Sequence, residues 1–146
     1  IAKLDTTVSY KKVEDPRFEQ VGDIGVLVEQ SDIVSIHVHV SDETLGMFNH
    51  DLFCKMKGDI LIVNTSRGDV VNESDLVTFL KNNLAARIAT DVLSDEIRNR
   101  LESPLFKYAK NSDQVTLTQH IGGMSREAQE IAYGHAATRL NEFFEN

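Results

Sequence analysis

The sequence predicts an α/β domain, a parallel sheet wrapped by helices, and three observations carry that prediction. Short β-branched apolar runs alternate with segments of helical pattern along the whole chain, which is the order that builds a parallel sheet through helical crossovers. The run DILIVNTS at 59–66 has an unbroken apolar centre, ILIV at 60–63, as a strand covered on both faces must have. A length of 146 residues with 41% hydrophobic content suits one ordinary core rather than two.

Taken in order, residues 1–5 read as a short apolar strand ending in Asp5, followed by a polar connection over 6–20 that contains Pro16. DIGVLVEQ at 23–30 reads as a short helix, and DIVSIHVHV at 32–40 is β-branched enough for a buried strand. Two short helical pieces are expected within 43–57 before the strand at 59–66. Asn72, with Asp75 three positions on, is expected to cap a helix over about 73–83, because both side chains can accept from its free amides. Residues 86–92, ARIATDV, read as the next strand. The stretch 94–112 is charged and irregular apart from a short turn at PLFKYA. A strand over 114–120 then leads through Gly122 and Gly123 into the longest helix, 125–144, with Ser125 as its cap. In that helix Ala128, Ile131, Ala132, Ala136, Leu140, Phe143 and Phe144 repeat at helical spacing, which predicts one buried stripe.

Arg67, Glu96 and His120 fall at or just beyond the carboxyl ends of three of these strands, where open α/β sheets bind ligands. Singly, Arg67 reads as a surface arginine, Glu96 as part of a solvated loop, and His120 as a histidine at a glycine turn. Together they form a site for a small acid. The guanidinium fork matches a carboxylate in two parallel hydrogen bonds. The histidine exchanges a proton near neutral pH, and a carboxylate partner fixes its tautomer.

Composition removes other classes. The formal charge is −8, and no basic run exceeds Lys11-Lys12, so there is no electrostatic footprint for nucleic acid or an anionic membrane surface. The sole cysteine, Cys54, cannot form an internal disulfide and reads as a packed thiol. The apolar runs are far shorter than a membrane span, and IAKLD is no signal peptide, so a cytoplasmic location is expected.

The blocks SDIVSIHV, LIVNTSRGDVVNESDLVTFLK, ATDVLSDE, SPLF and VTLTQHIGGMSREAQE occur in that order within a match that covers about residues 23–145. They resemble the successive blocks of the D-isomer-specific 2-hydroxyacid dehydrogenases, a group that includes D-3-phosphoglycerate dehydrogenase. Several blocks in register are far more specific than one short motif. The resemblance implies an NAD-dependent hydride transfer between the cofactor and a D-2-hydroxy or 2-keto acid. In that scheme Arg67 holds the substrate carboxylate, His120 is the general acid and base, and Glu96 hydrogen-bonds the imidazole. Asp91 would sit near the nicotinamide carboxamide. Thr65, with Val38 and His39 from the preceding strand end, would line the cofactor, as would Arg67, His120 and Gly122. Related formate dehydrogenases carry an amide at the glutamate position, so Glu96 favours a hydroxy-acid substrate.

The departures from the family pattern are few. Gln119 and His39 each replace a proline, Arg87 stands where a small residue is commoner, and no proline follows Glu96. The larger one is that no GxGxxG turn, which brings a helix N-terminus to a pyrophosphate, occurs in the 146 residues. The resemblance therefore implies an incomplete Rossmann-like fold, a partial NAD-binding domain over 1–146 lacking its first strand, glycine loop and first helix, with the substrate domain outside this chain. Asp5 would then be the acidic residue on the adenosine ribose, selecting NAD. Negligible turnover by the chain alone, an exposed strand edge and a homodimer are expected. A redox-sensing corepressor and an idle scaffold are the alternatives from other classes; neither needs all three of Arg67, Glu96 and His120.

Overall fold

The computed structural model describes residues 2–5 and 17–145, with the side chains of 2–5 and of Phe18 outside that description. The element order is β1 (Ala2–Asp5), β2 (Phe18–Val21), α1 (Ile24–Gln30), β3 (Ile33–Ile36), α2 (His50–Phe53), β4 (Leu61–Asn64) and α3 (Glu73–Asn82). It continues with β5 (Arg87–Thr90), α4 (Glu96–Asn99), α5 (Pro104–Ala109), β6 (Val115–Leu117) and α6 (Arg126–Glu145). Strands β3, β4, β5 and β6 form one parallel sheet in that order, and β1 pairs in parallel with β2 as a separate ribbon.

The register explains where the core sits. Val34, Ile62 and Ile88 are aligned across the sheet and buried, and β6 adds Val115 to the row. Val28, Phe53, Ile60, Leu76 and Leu80 close over the same sheet, and the Phe53 and Phe79 rings stack at 5.5 Å between centroids. The starts of α1, α2 and α3 have their free amides satisfied by a local side chain. Asp23 Oδ1 accepts from Gly25 N and Val26 N to start α1, Asn49 Oδ1 accepts from Leu52 N to start α2, and Asn72 Oδ1 accepts from Ser74 N and Asp75 N to start α3.

At its other end α3 is tied down by a buried side chain. Gln114 Nε2 lies 3.0 Å from each of the carbonyl oxygens of Leu80, Asn83 and Ala86, while its Oε1 accepts from the Tyr108 hydroxyl at 2.6 Å. Gln114→Leu keeps the volume and strips these partners together, so unfolding in urea is expected at a free energy about 2 kcal/mol lower, with the slope unchanged. An unaltered midpoint would mean that water replaces the amide at no cost.

Several expectations are corrected. The connection 6–20 is not wholly polar coil: Phe18–Val21 is a strand, made by pairing with β1, and residues 6–16 lie outside those described. The strand expected over 32–40 stops at Ile36. Beyond it the carbonyl of Val38 accepts from Ser66 Oγ at 2.7 Å and that of His39 from Thr44 Oγ1 at 2.6 Å, so side-chain hydroxyls take the place of ladder partners. Between 43 and 57 there is one helix, α2, after a turn at 42–46. Asp75 does not cap its own helix; its Oδ2 accepts from His50 N at 3.0 Å and fastens α2 to α3. The stretch 94–112 is largely ordered, with α4, a 3-10 turn at Arg100–Glu102 and α5. Cys54 is exposed rather than packed.

The largest correction is α6. Ser125 Oγ does cap it, accepting from Ala128 N, but none of its residues is buried, and Ile131, Leu140, Phe143 and Phe144 are exposed. Helical spacing marks an apolar stripe; burial also needs an element to cover it, and none of those described does.

Candidate active site

The carboxyl ends of β4, β5 and β6 turn polar, and the turns that follow them carry the site. Asn64, the last residue of β4, is 2% exposed; its Oδ1 accepts from Ser66 N and its Nδ2 donates to Arg67 O, both at 3.0 Å. Thr90 ends β5 in the next register position, with its hydroxyl 3.0 Å from Asn64 O and 2.8 Å from Val92 O. Neither side chain reaches solvent, so both serve to shape the turns after the strands.

After β4 the chain runs Arg67-Gly68 directly against the turn after β5. A Cβ on Gly68 would stand 1.9 Å from the carbonyl carbon of Leu93 and 2.3 Å from Ser94 N, so the two backbones meet where only glycine fits. Two carboxylates close that contact: Asp69 Oδ1 accepts from Ser94 Oγ at 2.8 Å and Asp95 N at 3.2 Å, and buried Glu73 Oε1 accepts from Ser94 N at 2.8 Å.

Glu96 begins α4 and is anchored through Oε2, which accepts from Leu93 N at 3.1 Å. Its Oε1 lies 2.5 Å from Nδ1 of His120. An ionised carboxylate only accepts, so Nδ1 carries the proton and Nε2 is left as the ring atom that exchanges one. Both ends of this pair are held in left-handed backbone: His120 has φ +54° and Asp95, just before Glu96, has φ +47°. Non-glycine residues take that region at a cost, and such residues concentrate at functional sites.

The remaining expected residues are placed as follows. Arg67 is exposed and donates from one guanidinium nitrogen to Ser66 O at 2.6 Å, and no hydrogen bond joins it to the pair. Thr65 and His39 are exposed and Val38 half-buried, and the Ser66–Val38 hydrogen bond joins the two strand ends that carry them. Asp5 is the last residue of β1, its side chain outside the description. Gly122 opens a 3-10 turn with free space about its Cα, so no close approach calls for glycine there.

Asp91 is informative in another way. Its Oδ1 is buried without a hydrogen-bond partner, and no other side-chain atom among the described residues shares that state. A buried acceptor oxygen lacking a donor is costly. It fits the amide N–H of a carboxamide such as that of nicotinamide, so the donor set present is compatible with that cofactor. Arg87, the family departure at the start of β5, lies at the amino end of its strand, away from the carboxyl ends, and donates to Leu84 O and Ala86 O. Sequence reasoning missed Asn64, Gly68, Asp69, Glu73 and Thr90. The signal available was the small residue straight after Arg67 and the acids at 69 and 73 that follow it.

Comparison with known proteins shows the family. The family model described as D-isomer specific 2-hydroxyacid dehydrogenase, NAD binding domain, matches residues 1–122. The dehydrogenase efuE of Hormonema carpetanum is 35% identical over 119 residues, covering 82% of this chain and 28% of that protein. The D-3-phosphoglycerate dehydrogenase of Archaeoglobus fulgidus is 36% identical over 121 residues, covering 80% of this chain and 22% of that protein. Among solved structures, the holo form of D-mandelate dehydrogenase from Rhodotorula graminis superposes with a TM-score of 0.68 at 31% identity, over 77% of this chain and 31% of that one. The chain thus spans less than a third of the length of these relatives.

Proposed function

The chain belongs to the D-isomer-specific 2-hydroxyacid dehydrogenases through their NAD-binding domain, and from that premise we propose that it forms the cofactor-binding part of an NAD-dependent enzyme interconverting a D-2-hydroxy acid and its 2-keto acid. The observation that carries the proposal is the 2.5 Å contact between Glu96 Oε1 and His120 Nδ1, which leaves Nε2 free for proton exchange. A bound nicotinamide supplies the hydride in reduction and accepts it in oxidation.

Everything else falls to side chains. Arg67 binds the substrate carboxylate with its guanidinium fork. In reduction His120 Nε2 delivers a proton to the keto oxygen as the carbonyl carbon gains the hydride; in oxidation the same atom removes the hydroxyl proton. Glu96 keeps the ring oriented throughout. Asp91 offers its unpartnered oxygen to the carboxamide N–H, and Asp5 is the proposed acceptor for the ribose hydroxyls. Val38, His39, Thr65 and Gly122 line the cofactor in this reading.

Residues 1–146 are proposed as a partial NAD-binding domain whose substrate domain lies elsewhere, in a homodimeric cytoplasmic protein. No helix among the described residues is long and apolar enough to cross a membrane. The relatives named are dehydrogenases, which does not favour the redox-sensing alternative.

The test follows NADH absorbance in the full-length protein against a panel of 2-keto acids. Turnover of at least one is expected, with Arg67→Ala raising its KM about ten- to a hundredfold while the NADH Kd stays put, as the loss of a charge-assisted pair requires. NADH binding without turnover of any keto acid would transfer the assignment to a sensing module.

A further inference from the structure

The segment 94–105 carries Glu96 but has almost no apolar anchor until Leu105 at its end. Neither α4 nor the 3-10 turn after it buries a residue, and Ile97 and Leu101 are 95% and 66% exposed. Burial therefore does not hold Glu96 against His120.

Glu73 stands beneath that segment at the first position of α3, 6% exposed, where helix amides favour a carboxylate. Its Oε1 accepts from Ser94 N at 2.8 Å, and its Oε2 accepts from Ser103 Oγ at 2.6 Å and Leu105 N at 3.4 Å. One buried carboxylate therefore grips both ends of the segment. Asp69 adds an outer grip at Ser94 and Asp95. Asp95 is the left-handed residue whose backbone sets the direction in which Glu96 leaves the chain. Hydrogen bonds to a carboxylate are roughly twice as strong as neutral ones. Where apolar burial is lacking, these contacts decide the position.

We propose that Glu73 is a positioning residue that holds the Glu96 carboxylate on His120 Nδ1, with Asp69 as its outer partner. The inference rests on the Glu96–His120 pair of the proposed function. Glu73→Gln keeps the shape, but an amide presents an N–H₂ where one set of donors needs an acceptor.

The experiment reads the 15N shifts of the His120 ring in the full-length protein, which report the tautomer, together with kcat and the NADH Kd. Glu96→Ala is the reference and is expected to release Nδ1 from its proton. Glu73→Gln is expected to move the ring the same way and to lower kcat about tenfold at an unchanged NADH Kd. Glu73→Asp, which keeps the charge, is expected to recover part of both. A ring signal in folded Glu73→Gln identical to wild type, with Glu96→Ala displaced, overturns the role of Glu73 alone. An unmoved ring in Glu96→Ala overturns the pair itself, and with it this inference. If Glu73→Gln does not fold, Asp69→Asn and Ser103→Ala each remove one grip and are read by the same signal, a shift supporting the proposal and wild-type spectra in both overturning it.

Discussion

His120→Asn is expected to lower kcat for keto-acid reduction by about 10²- to 10⁴-fold in the full-length protein, with the NADH Kd within a few-fold of wild type. Asparagine is the informative replacement because residue 120 has φ +54°, a region that asparagine tolerates better than most residues. A loss of activity is then assignable to the missing ring rather than to a displaced turn. The amide neither gives nor takes a proton at neutral pH, so the keto oxygen must draw its proton from water. Glu96→Gln is expected to cost less, since a glutamine carbonyl still accepts from Nδ1–H and keeps the tautomer, but offers no charge to the protonated ring. The comparison separates orientation from charge. Equal losses in the two variants would show that the charge carries the whole effect, and an active His120→Asn would remove His120 from the proton transfer.

The parts of this site that were legible from sequence are those whose chemistry is written in residue type. The apolar run before Arg67, the β-branched run before His37 and the asparagine cap at position 72 each specify local structure by composition, and the structure contains all three. Glu96 and His120 were found through spaced blocks, and their side chains do meet. What stayed hidden depends on contacts between distant segments. FEQV, with two polar residues in four, is a strand because β1 lies beside it, not because of its own pattern. Glu73 reads as one more acid in a helix's first turn until Ser94 and Ser103, 21 and 30 residues away, are seen to point at it. The stripe of α6 lies on a helix yet none of it is buried, since periodicity describes one helix and burial requires two elements.

Gly68 is the extreme case of that dependence, and Gly68→Ala is expected to be the most damaging single-methyl change in the chain. The added carbon would lie 1.9 Å and 2.2 Å from the carbonyl carbon and oxygen of Leu93, against an ordinary contact of about 3.5–4.0 Å. No flexible side chain is available to give way, because the atoms it meets are backbone and Leu93 is itself buried in the core. The two turns must separate, and the bonds from Asp69 and Glu73 to Ser94 and Asp95 separate with them. A destabilisation of about 3 kcal/mol follows, near the upper end for overpacking, and with it a Tm lower by about 10 °C. Activity should fall further than stability alone dictates, because the separation draws Glu96 away from His120 while leaving Arg67 on the other side of the gap. Gly123→Ala is the matched control: no atom lies within 4 Å of its added carbon, and its Tm is expected within about 2 °C of wild type. Differential scanning calorimetry of the two variants, with kcat measured below both transitions, decides the matter. If Gly68→Ala melts and turns over like Gly123→Ala, the two backbones do not meet, and the account of how Glu96 is positioned falls with that contact.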